Sequence, residues 1–282
     1  MNEQQRPRRT PKSVTVVATE RLSPELVRVI LTGEDLRQLP PLEFTDHYVK
    51  LLFPPPGAAY AWPFDPEQLR ATRPADEWPL TRTYTIRWFD RDTARVAIDF
   101  VVHGDQGIAG PWAAAVQPGE QIGFLGPGGA WAPDPAAGDH LLVGDESALP
   151  AIAAALDALP TGAPASAFLE VSSPEAEVPV RCGGSIDVTW VHRGAHPHGT
   201  ALAAAVRAAV TPTPELRAFV HGNAEMVKDL RRWLFVEHRV PRDQVSISGY
   251  WRTGLDEAGW QSTKRDFNAE LERDEARLTD VA

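Results

Sequence analysis

Arg82-Thr83-Tyr84-Thr85-Ile86-Arg87 is the most informative stretch of this chain. Tyr84, Ile86 and Trp88 alternate with Thr83, Thr85 and Arg87, which is the period of a β-strand. Two arginines and two threonines around a tyrosine make a poor core strand and a good platform for a planar ligand that bears phosphate. An arginine fork pairs with phosphate in bidentate fashion. A tyrosine ring lies against a flat heterocycle, and a threonine hydroxyl donates to or accepts from a ring nitrogen.

Working outward, Val14–Thr19, Leu26–Thr32 and Tyr48–Phe53 precede this strand, and Ala94–Val102 and Gln121–Leu125 follow it, all β-rich and bounded by turn residues. Six short strands before any long helix predict a small antiparallel barrel. The proline-rich segment 54–80, with Trp62 and Trp78, reads as a long loop, functional or mobile. Between the last two strands lies His103-Gly104-Asp105-Gln106-Gly107-Ile108-Ala109-Gly110-Pro111-Trp112-Ala113. Its glycines let backbone approach a ligand closely. Ala109–Val116 suits a short helix with Pro111 in its first turn, and a glycine-rich loop entering a helix is a ready anion site. The same residues also suit a plain strand-to-helix connection.

Pro133–Gly138 is a proline, glycine and alanine linker, and the period changes after it. We therefore expect two domains, 1–137 and 138–282. In the second, strands at 140–143, 165–171, 186–192, 216–220 and 245–248 are interleaved with helices up to about Leu159, at Thr200–Val210 and at Glu225–His238. That order predicts a parallel α/β sheet with right-handed crossovers and a ligand at the carboxyl ends of its strands. The first turn, Gly144-Asp145-Glu146-Ser147-Ala148-Leu149-Pro150, is neither GxGxxG nor a P-loop. His192, His196 and His198 are too loosely spaced, with no carboxylate nearby, to be read as a metal site. The charged tail after Asp256 is helix-prone around Ser262–Leu278.

Composition narrows the function. A 282-residue chain with 43% hydrophobic and 23% charged residues is that of a globular protein. It has no apolar run long enough for membrane insertion and no apolar leader. The net charge of −10 argues against a nucleic-acid partner and requires a local basic patch for any anionic substrate. Arg6, Arg8, Arg9 and Lys12 read as a frayed basic arm. The single cysteine, Cys182, excludes an internal disulfide and fits a cytoplasmic location. Only four of the 28 basic residues are lysines: Lys12, Lys50, Lys228 and Lys264.

The pattern Arg82-x-Tyr84-Thr85 resembles the flavin-binding strand of the ferredoxin reductase superfamily, and Arg87 after it resembles the siderophore-interacting proteins, flavin-dependent ferric-siderophore reductases. Further motifs follow in the family's order. They are Asp99-Phe100-Val101-Val102-His103-Gly104, Gly110-Pro111 before Trp112, Pro118-Gly119-Glu120, Gly126-Pro127-Gly128-Gly129, the turn at 144–150 and Ser248-Gly249-Tyr250-Trp251-Arg252-Thr253-Gly254. The spacer before Trp112 is shorter than the family's, so which amides hold the flavin diphosphate stays open. Ser147 replaces a threonine and keeps the hydroxyl. Ala218–Glu225 resembles the family's strand-to-helix turn, with His221 and Asn223 differing from its usual residues.

By this resemblance the first domain is a flavin-binding barrel and the second a nicotinamide-binding α/β domain. FAD is the cofactor, and NADPH or NADH the electron donor. Arg82, Tyr84, Thr85, Arg87, Asp99, His103, Gly107, Ala109, Gly110 and Trp112 are expected at the flavin. Asp145, Ser147 and Ala148 are expected where nicotinamide meets it, Arg193 at the adenosine ribose, and Tyr250 and Trp251 over a flavin face or the cleft floor. Arg193 favours a 2′-phosphate and Glu170 favours a bare ribose. Lys50, Arg252, Lys264 and Arg265 are expected to attract a ferric siderophore. No acid–base triad and no protein-bound metal are expected. A ferredoxin-dependent electron-transfer protein and a non-enzymatic siderophore-binding protein are the alternatives. A monomer is expected.

Overall fold

The six strands of the first half close into a barrel. The computed structural model describes residues 10–181 and 186–280. Arg6, Arg8, Arg9 and Cys182, on which the basic arm and the reducing compartment rest, lie outside the described residues. The chain divides into one unit of residues up to Arg21 with Val27–Ala130, and another of Leu22–Leu26 with Trp131 onward.

The first unit contains β1 (Lys12–Ser23), β2 (Leu26–Thr32), α1 (Glu34–Arg37), β3 (Tyr48–Phe53), α2 (Pro66–Thr72), β4 (Leu80–Asp90), β5 (Arg95–Val101), α3 (Ala109–Ala115) and β6 (Gln121–Gly128). The strands form a closed barrel in the order β1-β2-β5-β4-β3-β6. Its seam is the antiparallel pairing of β1 with β6, from Lys12 opposite Phe124 to Thr15 opposite Gln121. Val14, Leu31, Leu51, Ile98, Phe100 and Phe124 fill the interior. The remaining void among these core residues is about 10 Å³, too small for a ligand.

Segment 54–80, expected as a loop, is partly helical. Asp65 caps α2 by accepting from the amides of Glu67 (2.9 Å) and Gln68 (3.3 Å), and Pro66 occupies the first turn. The segment is docked rather than loose. Trp62 donates Nε1–H to Ser13 Oγ at 2.9 Å, and a Cβ at Gly123 would lie 2.1 Å from its ring. Phe64 packs edge-on to both Trp62 and Tyr60, and the Tyr60 hydroxyl donates to the Glu77 carbonyl at 2.7 Å.

The second unit contains β7 (Asp139–Gly144), α4 (Leu149–Ala158), β8 (Ala165–Val171), β9 (Ile186–His192), α5 (Thr200–Ala209), β10 (Leu216–Asn223), α6 (Ala224–Arg232), β11 (Val245–Trp251) and α7 (Glu257–Asp280). The sheet order is β11-β10-β7-β8-β9, and each neighbouring pair is parallel. β7, β8 and β10 are buried almost throughout, as strands covered by helices on both faces must be. Along the 225–238 segment Met226, Leu230, Trp233 and Leu234 are all buried. α7 starts earlier than expected. It packs Trp260, Phe267 and Leu271 against Ala224, and Arg231 and Arg242 both donate to its buried Glu275.

Candidate functional site

In the barrel, β4 pairs with β3 so that Arg82 faces Leu51, Thr83 faces Lys50, Tyr84 faces Val49 and Thr85 faces Tyr48. Directly opposed residues share a face. Arg82 and Tyr84 therefore lie on one face of the pair, and Thr83 and Thr85 on the other with Lys50 and Tyr48. Tyr84 and Thr85, both expected at the flavin ring, thus leave the strand on opposite faces. A bulge between Ile86 and Trp88 then breaks the simple alternation read from sequence, and Thr85 and Ile86 are both buried.

Tyr84 is half-buried with its ring centroid 4.3 Å from that of Phe100, and Phe100 in turn packs on Trp112, which meets Phe53 edge-on. Arg82 is half-buried, and its side chain's one hydrogen bond among the described residues goes to the adjacent Thr81 carbonyl at 2.9 Å. A guanidinium in that setting, with no carboxylate partner, is built to receive an anion. Arg87 is half-buried on the same strand, two residues beyond Thr85.

His103 and Gly107 lie in an exposed loop in which Gly104 and Gly107 adopt positive φ (54° and 76°). Ala109 and Gly110 are buried at the start of α3, where a Cβ at Gly110 would come within 3.0 Å of the Val101 carbonyl. The loop thus combines left-handed glycines with a close backbone crossing, the local geometry that a backbone-bound phosphate requires. Asp99 is occupied differently. Both of its oxygens accept from Arg28, at 2.7 and 2.8 Å, in a buried bidentate pair. Nothing in the sequence singles out Arg28, 71 residues away.

At the carboxyl end of the parallel sheet, Asp145 is a hub. Its Oδ1 accepts from the Ser147 amide (3.0 Å) and hydroxyl (2.5 Å), and its Oδ2 accepts from the Asn223 amide and Trp251 Nε1 (both 2.8 Å). One carboxylate joins the ends of β7, β10 and β11. Space is made for it by Gly222, at φ 133°, where a Cβ would lie 2.7 Å from Asp145 Oδ2. Gly144 is equally tight: a Cβ there would lie 2.6 Å from that of Ala148. Asp145, Ser147 and Trp251, expected where nicotinamide meets flavin and over a flavin face or the cleft floor, are tied to one another by hydrogen bonds beside the half-buried Tyr250. Asn223 also caps α6, accepting from the Glu225 amide at 2.9 Å.

Arg193, expected at the adenosine ribose, is already paired. It is 8% exposed and lies between two carboxylates, donating to Glu146 Oε1 at 2.9 Å and lying 3.6 Å from Glu170 Oε1. Burial pushes Glu146 up to about 7, the neighbouring Asp145 adds to this, and Arg193 opposes it. Glu170 is fully buried and accepts from the Gly199 amide at 2.9 Å; burial raises its pKa too.

Two of the four expected substrate cations have partners within the protein. Arg252 pairs with Glu225 (2.9 and 2.8 Å) and lies over the Phe267 ring. Lys264 is half-buried and donates to Ser248 Oγ at 3.1 Å, and burial lowers its pKa. Lys50 and Arg265 are exposed and have no ion-pair partner among the described residues. His221 is buried, stacked on Phe219 at 3.8 Å, and pushed down to about 3 by burial and then by Lys264. It is a neutral core histidine.

No group of three or more metal-ligating side chains occurs among the described residues, and no helix among them is long and apolar enough to cross a membrane. A cleft of about 480 Å³ runs along α6 and α7, lined by charges of both signs around Leu271 and Leu278. It does not include the strand ends.

Residues 15–131 match the siderophore-interacting FAD-binding domain, and residues 137–254 match the siderophore-interacting protein family. The chain is 33% identical over 259 residues to the ferric vibriobactin reductase ViuB of Vibrio cholerae, covering 90% of this chain and 94% of that one. It is 30% identical over 243 residues to an NADPH-dependent ferric-chelate reductase of Escherichia coli, covering 85% and 92%. Among solved structures, the siderophore-interacting protein SipS from Aeromonas hydrophila superimposes with a TM-score of 0.79 at 29% identity, over 93% of this chain and 99% of that one.

Proposed function

This chain belongs to the siderophore-interacting protein family, and on that footing we propose that it is a flavin-dependent ferric-siderophore reductase. The observation that carries the reading is the half-buried Arg82, with no carboxylate partner among the described residues, on a strand beside Tyr84 and in the same unit as the glycine loop 103–112.

FAD fits these residues. Its diphosphate needs a cation and backbone amides, which Arg82 and the loop supply. Its ring needs an aromatic wall, and Tyr84 is fixed in place by Phe100. When bound, FAD supplies the exchange between two-electron hydride acceptance and one-electron donation that ferric iron requires. The protein's own contributions are positional. The second unit offers the 145–148 turn, shaped by the Asp145 hub, to a nicotinamide donor. Lys50 in the first unit and Arg265 in the second are each exposed with no carboxylate partner among the described residues, and each supplies a local cation for an anionic ferric chelate against a net charge of −10. Reduction of the iron weakens its hold on hard oxygen ligands and lets it leave. No side chain needs to move a proton at the iron.

The test is an absorbance spectrum of the pure protein, followed by addition of a reduced nicotinamide dinucleotide without oxygen and then a ferric siderophore with a ferrous-specific chelator. The expected result is bound flavin that bleaches and then recovers its colour as ferrous iron appears. A protein that takes up no FAD, or whose reduced flavin passes no electrons to a ferric chelate, refutes the proposal.

A further inference from the structure

We propose that Glu146 and Arg193 are positioning residues for the nicotinamide donor: as a buried pair they hold the 145–148 turn from beneath and so set where the donor lies. This rests on the reading that the second unit binds a nicotinamide dinucleotide at the carboxyl end of its sheet.

The sheet order β11-β10-β7-β8-β9 makes β7 the strand from which the chain builds first to one side and then to the other. Beyond the carboxyl end of such a strand lies the crevice in which α/β sheets take ligands. The two residues that leave β7 there are anchored to opposite halves of the sheet. Asp145 is tied to β10 and β11 through the Asn223 amide and the Trp251 indole. Glu146 is tied to the other half. Arg193, just past β9, donates to its Oε1 at 2.9 Å and lies 3.6 Å from Glu170 Oε1 on β8, and Glu170 accepts from the Gly199 amide ahead of α5. Arg193 is itself fixed by its amide, which donates to the Val171 carbonyl at 2.9 Å. Between the two anchors, Ser147 is the one residue of 144–150 that keeps partial exposure. A ligand in the crevice meets Ser147 and the backbone of the turn, and the tethers of Asp145 and Glu146 set where both stand.

A buried ion cluster contributes little net stability beside apolar side chains of the same volume, so stability alone does not account for one at this point. Its charges are also unequal. Glu146 and Glu170 share one guanidinium, and Glu170 Oε2 has no donor among the described residues. The charged groups around the pair are Glu170 from β8 and Asp145 on the turn itself; at the start of α5, His198 meets the Trp251 ring edge-on at 4.7 Å. With Glu146 ionised the cluster beneath the turn is net negative and opposes a dinucleotide diphosphate; with Glu146 protonated it is neutral. Burial brings that change to about 7, so donor affinity should weaken as pH rises through that value.

The experiment uses the full chain loaded with FAD. Isothermal titration with NAD⁺ and with NADP⁺ gives affinity, and anaerobic stopped-flow bleaching by NADH and by NADPH gives the limiting rate of flavin reduction. For whichever dinucleotide binds, Kd should rise about fivefold from about pH 6 to about pH 8, with protons taken up on binding between them. Glu146→Ala cuts the tether, leaves Arg193 beside Glu170, and should lower the limiting rate about tenfold, as a slightly misplaced reactant does. Glu146→Gln keeps an acceptor for Arg193, so it should recover most of that rate yet lose the pH dependence of Kd. Arg193→Met in the Glu146→Gln background cuts the same tether from its other end and should repeat the loss. If Glu146→Ala bleaches at the rate of the parent, or Glu146→Gln keeps the parent's pH profile, the positioning role is refuted while the reading of the unit stands. If the parent binds no dinucleotide and none bleaches its flavin, the reading of the unit falls and the positioning role with it.

Discussion

Replacing Asp145 with Asn is a decisive test of the hub, because it alters charge and donor pattern with little change of shape. Asp145 is 1% exposed and accepts four hydrogen bonds from three chain segments. An amide has one acceptor oxygen. Whichever way it turns, its NH₂ faces two donors: the Asn223 amide and Trp251 indole, or the Ser147 pair. Each buried donor left without an acceptor costs about 1–3 kcal/mol, so the variant should lose about 2–6 kcal/mol. Ser147→Ala, which removes one hydroxyl donor, should cost about 1 kcal/mol. The measurement is amide hydrogen exchange at Asn223 alongside calorimetric unfolding. A local loss of about 4 kcal/mol accelerates exchange there roughly a thousandfold. Exchange at Asn223 unchanged, with stability within about 0.5 kcal/mol of the parent, would mean that the carboxylate does not tie β7, β10 and β11 together.

Three further outcomes are expected. Arg82→Ala should weaken FAD binding about tenfold to a hundredfold, the worth of a charge-assisted phosphate contact, while far-ultraviolet circular dichroism stays the same; flavin titration measures it. Gly123→Ala places a Cβ 2.1 Å from the Trp62 ring and should cost about 1–3 kcal/mol, with the Trp62 indole proton losing its protection in NMR spectra. Glu146 sits at about 7 when folded against 4.5 ordinarily, so the folded state holds more protons between those values. Stability should therefore fall by about 3 kcal/mol as pH rises across that interval and level off above it. His221 works oppositely, losing stability as pH falls from 6.5 toward about 3. Urea unfolding of the parent minus that of Glu146→Gln cancels the histidine and isolates the glutamate.

Alternation and punctuation made the architecture legible. The runs around Val14, Leu26, Tyr48, Arg82, Ala94 and Gln121 each became a barrel strand, and the five later runs each became a sheet strand. The helix at Pro66 was announced by Asp65-Pro66-Glu67, a capping signal hidden among prolines. The contents of the site were harder to read, for a physical reason. An arginine in a sequence carries no mark of what will neutralise it. Arg193 meets a carboxylate 47 residues away, Asp99 meets Arg28 at 71, and Asp145 meets Trp251 at 106. Arg82, Lys50 and Arg265 kept their charge available, whereas Arg193, Arg252 and Lys264 did not, and only the folded neighbourhood distinguishes the two groups.

The seam between β1 and β6 has a consequence for how the chain comes into being. Residues near position 12 must wait for partners near position 124 before the cylinder can shut. A nascent chain halted before that point exposes two raw sheet margins, each able to recruit a stranger. Long-range closure of this kind is slow. Emergence of the last barrel strand from the ribosome is therefore the moment at which the nascent first half stops being an aggregation hazard and becomes a vessel wall.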